Sequence, residues 1–203
     1  MNRFAYGAVA FLSLGVAAYA VFAYSLLPPG AAVHPDMRAT FESQKAAVYL
    51  HVFGSAVALV LGPWQFSARL RAARPKLHRV MGMTYLTVGV GLGGVAGLAL
   101  ATTAYGGIPS TLGFGCLALA WLYTANHAWG EARGRNFAAH RRWMIRNFAL
   151  TFAAVTLRIY LPASLAAGVP FEDAYPAIAW LCWVPNLLVA EWVIRSTRPA
   201  VTA

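Results

Sequence analysis

The stretch GMTYLTVGVGLGGVAGLAL, residues 82–100, runs for 19 residues without one charged side chain. A transmembrane α-helix needs about 20 mostly apolar residues to cross the hydrocarbon core of a bilayer. Five other segments of the chain have the same character, and isolated strands in lipid would leave backbone groups unpaired. The sequence therefore predicts an all-α integral membrane bundle of six transmembrane helices, at about 5–27, 46–66, 80–104, 109–129, 143–167 and 175–195.

The composition agrees with a membrane protein that forms one transmembrane domain over residues 1–203. Hydrophobic residues make up 60% of the chain and charged residues 11%, and the mean hydropathy is +0.58. A soluble domain of this size cannot bury that much apolar surface. The two cysteines, Cys116 and Cys182, lie inside apolar runs, which favours packing over a disulfide framework.

The net charge of +10 is concentrated in two connecting segments. Segment 67–79 holds five basic residues and no acid, and segment 130–142 holds four arginines against Glu131. Loops rich in Lys and Arg stay in the cytoplasm, so we expect a bacterial inner-membrane protein with both termini cytoplasmic. This placement argues against nucleic acid as the partner, and anionic lipid head groups on the cytoplasmic face are a second use of the charge. The oligomeric state does not follow from the sequence.

An internal repeat connects the two basic segments. Residues 65–79 read QFSARLRAARPKLHR and residues 127–141 read HAWGEARGRNFAAHR, so Gln65 precedes His78 by 13 residues, as His127 precedes His140. Each copy runs from the end of one span to a His-Arg pair that opens the next. The pattern predicts a duplicated helix hairpin, with spans two and three equivalent to spans four and five.

A glycine stripe on span three has two interpretations. Gly82, Gly89, Gly93 and Gly97 recur at spacings close to those of one helical face. Small residues at such spacing let two helices approach closely. The same face could instead carry a flat macrocycle, and both interpretations are open at this point.

Three motifs stand out along the chain, namely LGPWQF (61–66), HRVMGMTY (78–85) and HRRWMIRNFALTFAAVTLR (140–158). Together they resemble domain-of-unknown-function family 2306, a family of predicted bacterial membrane proteins, and the likeness covers roughly residues 45–195. The resemblance implies an integral membrane protein and no particular activity. The chain is also similar to the ascorbate-reducible cytochromes b, six-helix proteins whose four central helices carry the histidines of two haems. Histidines here likewise fall on spans two to five, but His51 and His127 lie near opposite ends of their spans, so this resemblance implies at most one haem, on the cytoplasmic side.

The histidines of the repeat are candidate haem ligands. His78 and His140 open two parallel helices at the same depth, and two facing imidazoles can supply both axial nitrogens of a b-type haem iron. Arg79 and Arg141 would then lie near the propionates, and His127 is a third candidate ligand at similar depth. In the other interpretation these histidines hydrogen-bond a loop or a phosphate at the interface.

Arg158 is the second candidate site, about ten residues from the outer end of span five. A charged side chain at that depth is expensive, so it should face the bundle or a wet cavity. His51 and Asn186 lie at comparable depth, and together with Arg158 they could form a pocket for a quinone head group or another anionic ligand. Alternatively, backbone carbonyls beside a kink at Pro185 satisfy the guanidinium.

Two functions remain open on this basis. One is a small membrane redox protein with a b-type haem and a quinone site. The other is a non-enzymatic membrane protein that transports a small solute or serves as an accessory subunit. The chain has no Cys-x-x-Cys, no Gly-rich phosphate loop and no His-Glu-x-x-His, and its few acids argue against carboxylate-rich metal sites and hydrolytic triads.

Overall fold

The computed structural model describes residues 3–28 and 30–197, and over these residues it is helical without any strand. Six stretches are long and apolar enough to cross a membrane, which confirms the predicted all-α bundle. They are called spans one to six below and cover Phe4–Leu26, Lys45–Gln65, Pro75–Ala101, Ile108–Arg133, Phe137–Ala166 and Phe171–Ser196.

Several spans are built from more than one helix. The described helices are α1 (Arg3–Leu26), α2 (Arg38–Ser43), α3 (Lys45–Gln65), α4 (Ala68–Ala73), α5 (Pro75–Thr84), α6 (Gly93–Ala101), α7 (Ile108–Arg133), α8 (Phe137–Thr151), α9 (Ala153–Ala166), α10 (Phe171–Leu181) and α11 (Val184–Ser196). A 3₁₀ turn, Pro35–Met37, precedes α2, and a π-helical segment, Tyr85–Leu92, joins α5 to α6.

Spans three and five begin earlier than the sequence predicts. The expected starts were residues 80 and 143, whereas the helices begin at Pro75 and Phe137. Hydropathy detects only the part of a helix that lies in hydrocarbon, and the first two turns of both helices carry basic side chains. Pro75 suits a first turn because its missing N–H has no intrahelical partner there, and the Asn136 side chain caps α8 by accepting from the Ala139 N–H.

The spans pack in an order that follows the chain. Span two lies between spans one and three, and span four contacts spans three, five and six. The second half of span five, α9, which lies away from the two basic segments, also touches span one. The two basic segments, 67–79 and 130–142, lie at one end of the bundle, which we call the basic end. That this end is cytoplasmic stays a prediction.

The glycine stripe is a helix–helix contact. A Cβ atom added at Gly89 would lie 3.0 Å from the Cβ of Ala58, and one at Gly97 would lie 2.7 Å from Nδ1 of His51. Ala58 and His51 both belong to span two. The backbone of span two also lies directly against span three where Gly54 meets Gly93. The stripe is therefore covered by span two, and a macrocycle does not fit on this face.

Span six is interrupted at Cys182 and Trp183, just before Pro185, as the sequence predicts for a proline kink. The Cys182 carbonyl lies in the kink and accepts hydrogen bonds from the Thr156 hydroxyl and, at 3.0 Å, from Asn186 Nδ2. Neighbouring side chains thus satisfy a carbonyl that the break in the helix leaves without a backbone donor.

Candidate functional site

Arg158 lies on α9 among side chains from spans one and two. It is partly buried, and its Nη1 donates to the Ala154 carbonyl at 3.0 Å. The Tyr19 ring centre lies 6.0 Å from its Cζ, and Tyr24 and His51 are both close enough to interact with it electrostatically. The structure thus places His51 within electrostatic range of Arg158. We call Arg158, His51, Tyr19 and Tyr24 the outer site.

Within residues 3–28 and 30–197, no carboxylate forms an ion pair with Arg158. The chain has six acidic residues, and among the described residues the ion pairs are His34–Asp36 and Arg146–Glu191. A guanidinium has five N–H donors, and within the same residues Arg158 uses one of them, for the carbonyl of its own helix. The outer site therefore holds a cation with unused donors.

His51 adds a hydrogen-bond acceptor to the outer site. Its Nδ1 lies 2.8 Å from the Gly93 carbonyl oxygen. Because a carbonyl only accepts, Nδ1 carries the hydrogen, and in the neutral imidazole Nε2 is then an acceptor. The described part of the chain offers Nε2 no hydrogen bond, so the outer site presents one acceptor beside several donors.

The outer site lies on the surface of the bundle, two turns from the end of its helix. Tyr19 is 49% exposed and its neighbour Phe22 is 56% exposed, so the side of span one that borders the site faces outward. Arg158 lies eight residues before the end of α9 at Ala166, which is roughly 12 Å along the helix axis. A ligand that reaches Arg158 from the bilayer must carry its polar group into the hydrocarbon region.

Asn186 does not join this site. Its Nδ2 donates to Thr156 Oγ1 at 3.2 Å and to the Cys182 carbonyl, so the amide closes the kink of span six against span five. The similar depth of Asn186 and Arg158 predicts a shared pocket. In the structure, however, the two side chains lie at different helix faces. The prediction that Asn186 contributes to a ligand pocket with Arg158 is not supported by this geometry.

His78 and His140 lie near each other at the basic end. The Nδ1 of His140 lies 2.8 Å from the Ala128 carbonyl oxygen, and His78 is within electrostatic range of His140 and Arg71. Arg79 and Arg141, the predicted propionate partners, are exposed on the first turns of spans three and five. Among the described residues no three His, Cys, Asp or Glu side chains are grouped as a metal site.

His127 belongs to an aromatic stack. Its ring is 4.6 Å from the Trp143 ring with an interplanar angle of 19°, and 4.4 Å from the Tyr123 ring. The Arg146 guanidinium lies 4.7 Å above Trp143 on the same stack. These ring contacts hold the His127 imidazole between spans four and five. His127 takes no part in the hydrogen bond between His140 and Ala128.

Arg146 forms an ion pair that the sequence analysis missed. Its Nε and Nη2 donate to the two carboxylate oxygens of Glu191, at 2.5 and 2.9 Å, which joins span five to span six. Both side chains are mostly buried. One available signal was the three-residue spacing of Trp143 and Arg146, which places a cation over an aromatic ring on one helix face.

A buried polar network, also missed, occupies the centre of the bundle. Tyr85 and Asn147 are fully buried, and the Tyr85 hydroxyl donates to Asn147 Oδ1 at 2.7 Å. Asn147 Nδ2 donates to the Trp121 carbonyl and to Thr124 Oγ1, each at 2.8 Å, and Trp121 Nε1 donates to Thr151 Oγ1 at 2.9 Å. We call these five residues the central network. Its satisfied hydrogen bonds indicate a structural role that ties spans three, four and five together.

The central network agrees with the repeat. Tyr85 follows His78 by seven residues and Asn147 follows His140 by seven, so the two hydrogen-bonded side chains occupy equivalent positions of the proposed hairpins. Each hairpin also packs internally, span two on span three and span four on span five. These contacts support the duplication.

Comparisons with known proteins give one match. No curated protein and no solved structure matches the chain, so the likeness to cytochromes b finds no support there. A family model described as a predicted membrane protein family, DUF2306, matches residues 48–194, which is well over half of the chain. Together with the six spans, this match shows that the chain is a membrane protein of the DUF2306 family.

Proposed function

We propose that this protein binds an amphipathic ligand of the quinone and quinol class at the outer site and serves a quinone-linked redox process in the membrane. The observation that carries the proposal is Arg158, a cation in the bundle that has unused donors and no carboxylate partner in the described part of the chain. An unpaired charge at this depth is destabilising, so it is retained for a ligand that accepts hydrogen bonds from it.

The donor and acceptor pattern favours a hydroxyl-bearing ring over a simple anion. Arg158 donates, while His51, with Nδ1 bound to Gly93, accepts at Nε2. A quinol hydroxyl can donate to His51 and accept from Arg158, and a quinone carbonyl can accept from Arg158 alone. An ionised carboxylate or a phosphodiester has no donor and would leave the His51 acceptor without a partner.

Depth and exposure favour a ligand that arrives from the bilayer. The guanidinium lies roughly 12 Å from the end of its helix, by helix rise, whereas phospholipid phosphates lie at the interface. Quinones carry a small polar ring on an apolar tail, so their head group can enter at this depth. The exposed face of Tyr19 provides a lateral entrance from lipid.

The test measures ligand affinity of the protein in nanodiscs, with a short-chain ubiquinone and its quinol as probes and tryptophan fluorescence as the readout. Arg158→Leu should weaken binding roughly 10- to 100-fold, since a hydrogen bond to a charged group contributes about 1.5–3 kcal/mol. Arg158→Lys should rescue poorly because lysine lacks the planar fork. Arg195→Leu, which removes an exposed arginine at the end of span six, is the matched control and should bind like the parent protein.

A second variant separates the two redox forms. Asparagine at position 51 retains an amide donor near the position of Nδ1 and removes the acceptor at Nε2. His51→Asn should therefore weaken quinol binding more than quinone binding. Equal affinity of the parent protein and Arg158→Leu for both probes would reject the proposal and leave Arg158 with a structural role.

A b-type haem at the basic end is a second candidate, favoured by one observation. His140 donates Nδ1–H to the Ala128 carbonyl, the type of contact that orients a ligating imidazole and leaves Nε2 for a metal. His78 lies near it, and Arg79 and Arg141 are the residues available to propionates. Such a haem would supply one-electron transfer.

The haem candidate makes a direct spectroscopic prediction. Protein purified from haem-replete cells should show a Soret band that sharpens on reduction with dithionite, and His140→Ala should abolish it because an axial nitrogen is lost. A colourless preparation that still binds the quinone probes would reject the haem and retain the quinone site.

A further inference from the structure

We infer that the basic end binds one zwitterionic phospholipid, with its phosphate and ammonium groups in a notch at Gly130 and an acyl chain along the outward face of span four. Glu131 and Arg133 are the charged residues of this site. The site uses none of the histidines of the haem candidate, and it does not depend on the proposed quinone function.

The notch lies at the end of span four. It has a volume of about 480 Å³, and its wall includes Trp129, Gly130, Glu131 and Arg133. A Cβ atom added at Gly130 would meet nothing within 4 Å beyond its chain neighbours and its own helix backbone, so the glycine leaves open space against the helix. Ligand pockets in proteins have volumes of about 300–1,000 Å³. The notch is therefore large enough for a lipid head group.

Two opposite charges line this notch without neutralising each other. Glu131 and Arg133 both belong to its wall, and among the described residues neither of them forms an ion pair. The notch thus offers a carboxylate and a guanidinium to one ligand. A group that carries both a phosphate and an ammonium matches this pattern, because a guanidinium binds phosphate through two N–H donors and an ammonium donates to a carboxylate.

Glu131 distinguishes this ligand from an anionic one. The charge of the basic segments predicts anionic head groups, and segment 67–79, with five basic residues and no acid, agrees with that prediction. In segment 130–142, however, Glu131 is the single acid, and it lies in the wall of the notch. A carboxylate there repels a head group of net negative charge and attracts an ammonium group. The notch therefore favours phosphatidylethanolamine over phosphatidylglycerol.

The face of span four that continues from the notch suits an acyl chain. Tyr123 and Leu119 precede Gly130 by seven and eleven residues, which places all three on one helix face. Their side chains are 57% and 54% exposed, so an acyl chain can lie along them while its head group occupies the notch. Trp129 adds an aromatic ring of the kind that borders lipid head groups at a membrane interface. A soluble zwitterion would fill the notch and leave this apolar stripe uncovered, which favours a lipid.

The experiment has two arms that distinguish a lipid from a soluble ligand. In the first arm, native mass spectrometry measures which lipid the purified protein retains from micelles with equal amounts of phosphatidylethanolamine and phosphatidylglycerol of the same acyl chains. In the second arm, phosphoethanolamine, the free head group, is titrated against the protein in phosphatidylglycerol nanodiscs, and the shift in Tm is measured. Preferential retention of phosphatidylethanolamine supports the inference. A rise in Tm with phosphoethanolamine and no retained phosphatidylethanolamine would overturn it in favour of a soluble zwitterion.

Three variants connect the lipid to the notch. Gly130→Leu fills the notch without a clash and should abolish the preferential retention of phosphatidylethanolamine. Glu131→Gln keeps the shape and removes the charge, so it should lower retention of phosphatidylethanolamine relative to phosphatidylglycerol about fivefold, the factor expected for one charge at a membrane surface. Arg133→Leu should lower retention of both lipids, since both carry a phosphate.

Two control variants make the same changes outside the notch. Glu172→Gln removes an exposed acid at the start of span six, and Arg69→Leu removes an exposed arginine from the other basic segment. Both should retain phosphatidylethanolamine like the parent protein. Unchanged retention by Gly130→Leu, or equal retention of the two lipids by the parent protein, would overturn the inference and assign the notch to water.

Discussion

Replacing Asn147 by leucine is expected to destabilise the folded protein by about 3 kcal/mol, roughly 1 kcal/mol for each of three polar groups that lose a partner in the membrane interior. These groups are the Tyr85 hydroxyl, the Trp121 carbonyl and Thr124 Oγ1. All three lie in the buried centre, where neither water nor lipid replaces the lost hydrogen bonds. The free energy of unfolding, measured by denaturing-detergent titration in mixed micelles, gives the difference.

The control for this prediction is the same change at an exposed asparagine. Asn126 lies on span four near the basic end and is exposed. Asn126→Leu should change the free energy of unfolding by less than about 0.5 kcal/mol. Similar losses for the two variants would mean that the central network contributes no more than a surface amide.

Replacing either partner of the Arg146–Glu191 pair should destabilise the protein by about 2 kcal/mol, because the change breaks a two-point, charge-assisted contact in a mostly buried position. The double variant Arg146→Leu/Glu191→Leu should be more stable than either single variant, since two apolar side chains replace a compensated pair. The same unfolding titration measures all three proteins.

Arg142 provides the control for this comparison of single and double variants, which is a double-mutant cycle. It lies on the same helix as Arg146, and no ion pair of the described residues includes it. Combining Arg142→Leu with Glu191→Leu should give additive losses. The Arg146 and Glu191 variants could also lose free energy of unfolding additively. That result would show that the ion pair adds no coupling energy between spans five and six.

The six spans follow from the sequence because hydropathy and length are properties of single segments. The break before Pro185 is predictable for the same reason, since proline acts on its own helix. The starts of spans three and five lie earlier than predicted because basic residues in the first two turns after Pro75 and Phe137 lower the hydropathy there. The π-helical segment at Tyr85–Leu92 also has no hydropathy pattern of its own.

Contacts between spans are harder to predict because they depend on the rotation and depth of two helices at once. Arg146 and Glu191 are far apart in the chain, and neither segment alone indicates their pairing. The central network consists of uncharged polar residues, so a search for costly charges passes over Asn147. The same search did identify Arg158 and His51, because an isolated charge in an apolar span is unusual by itself. The same search grouped Asn186 with Arg158 and His51 because of its depth alone. In the structure the Asn186 side chain lies on another face, where it donates to Thr156.

The most direct test of the central claim is photolabelling with an azido-quinone in the native membrane, followed by mass spectrometry of the labelled peptides. The account predicts labels on the segments of spans one and two that carry Tyr19, Tyr24 and His51, and a strong reduction of those labels by Arg158→Leu and by excess unlabelled quinol. Labels spread over lipid-exposed positions such as Trp192, with no dependence on Arg158, would contradict it.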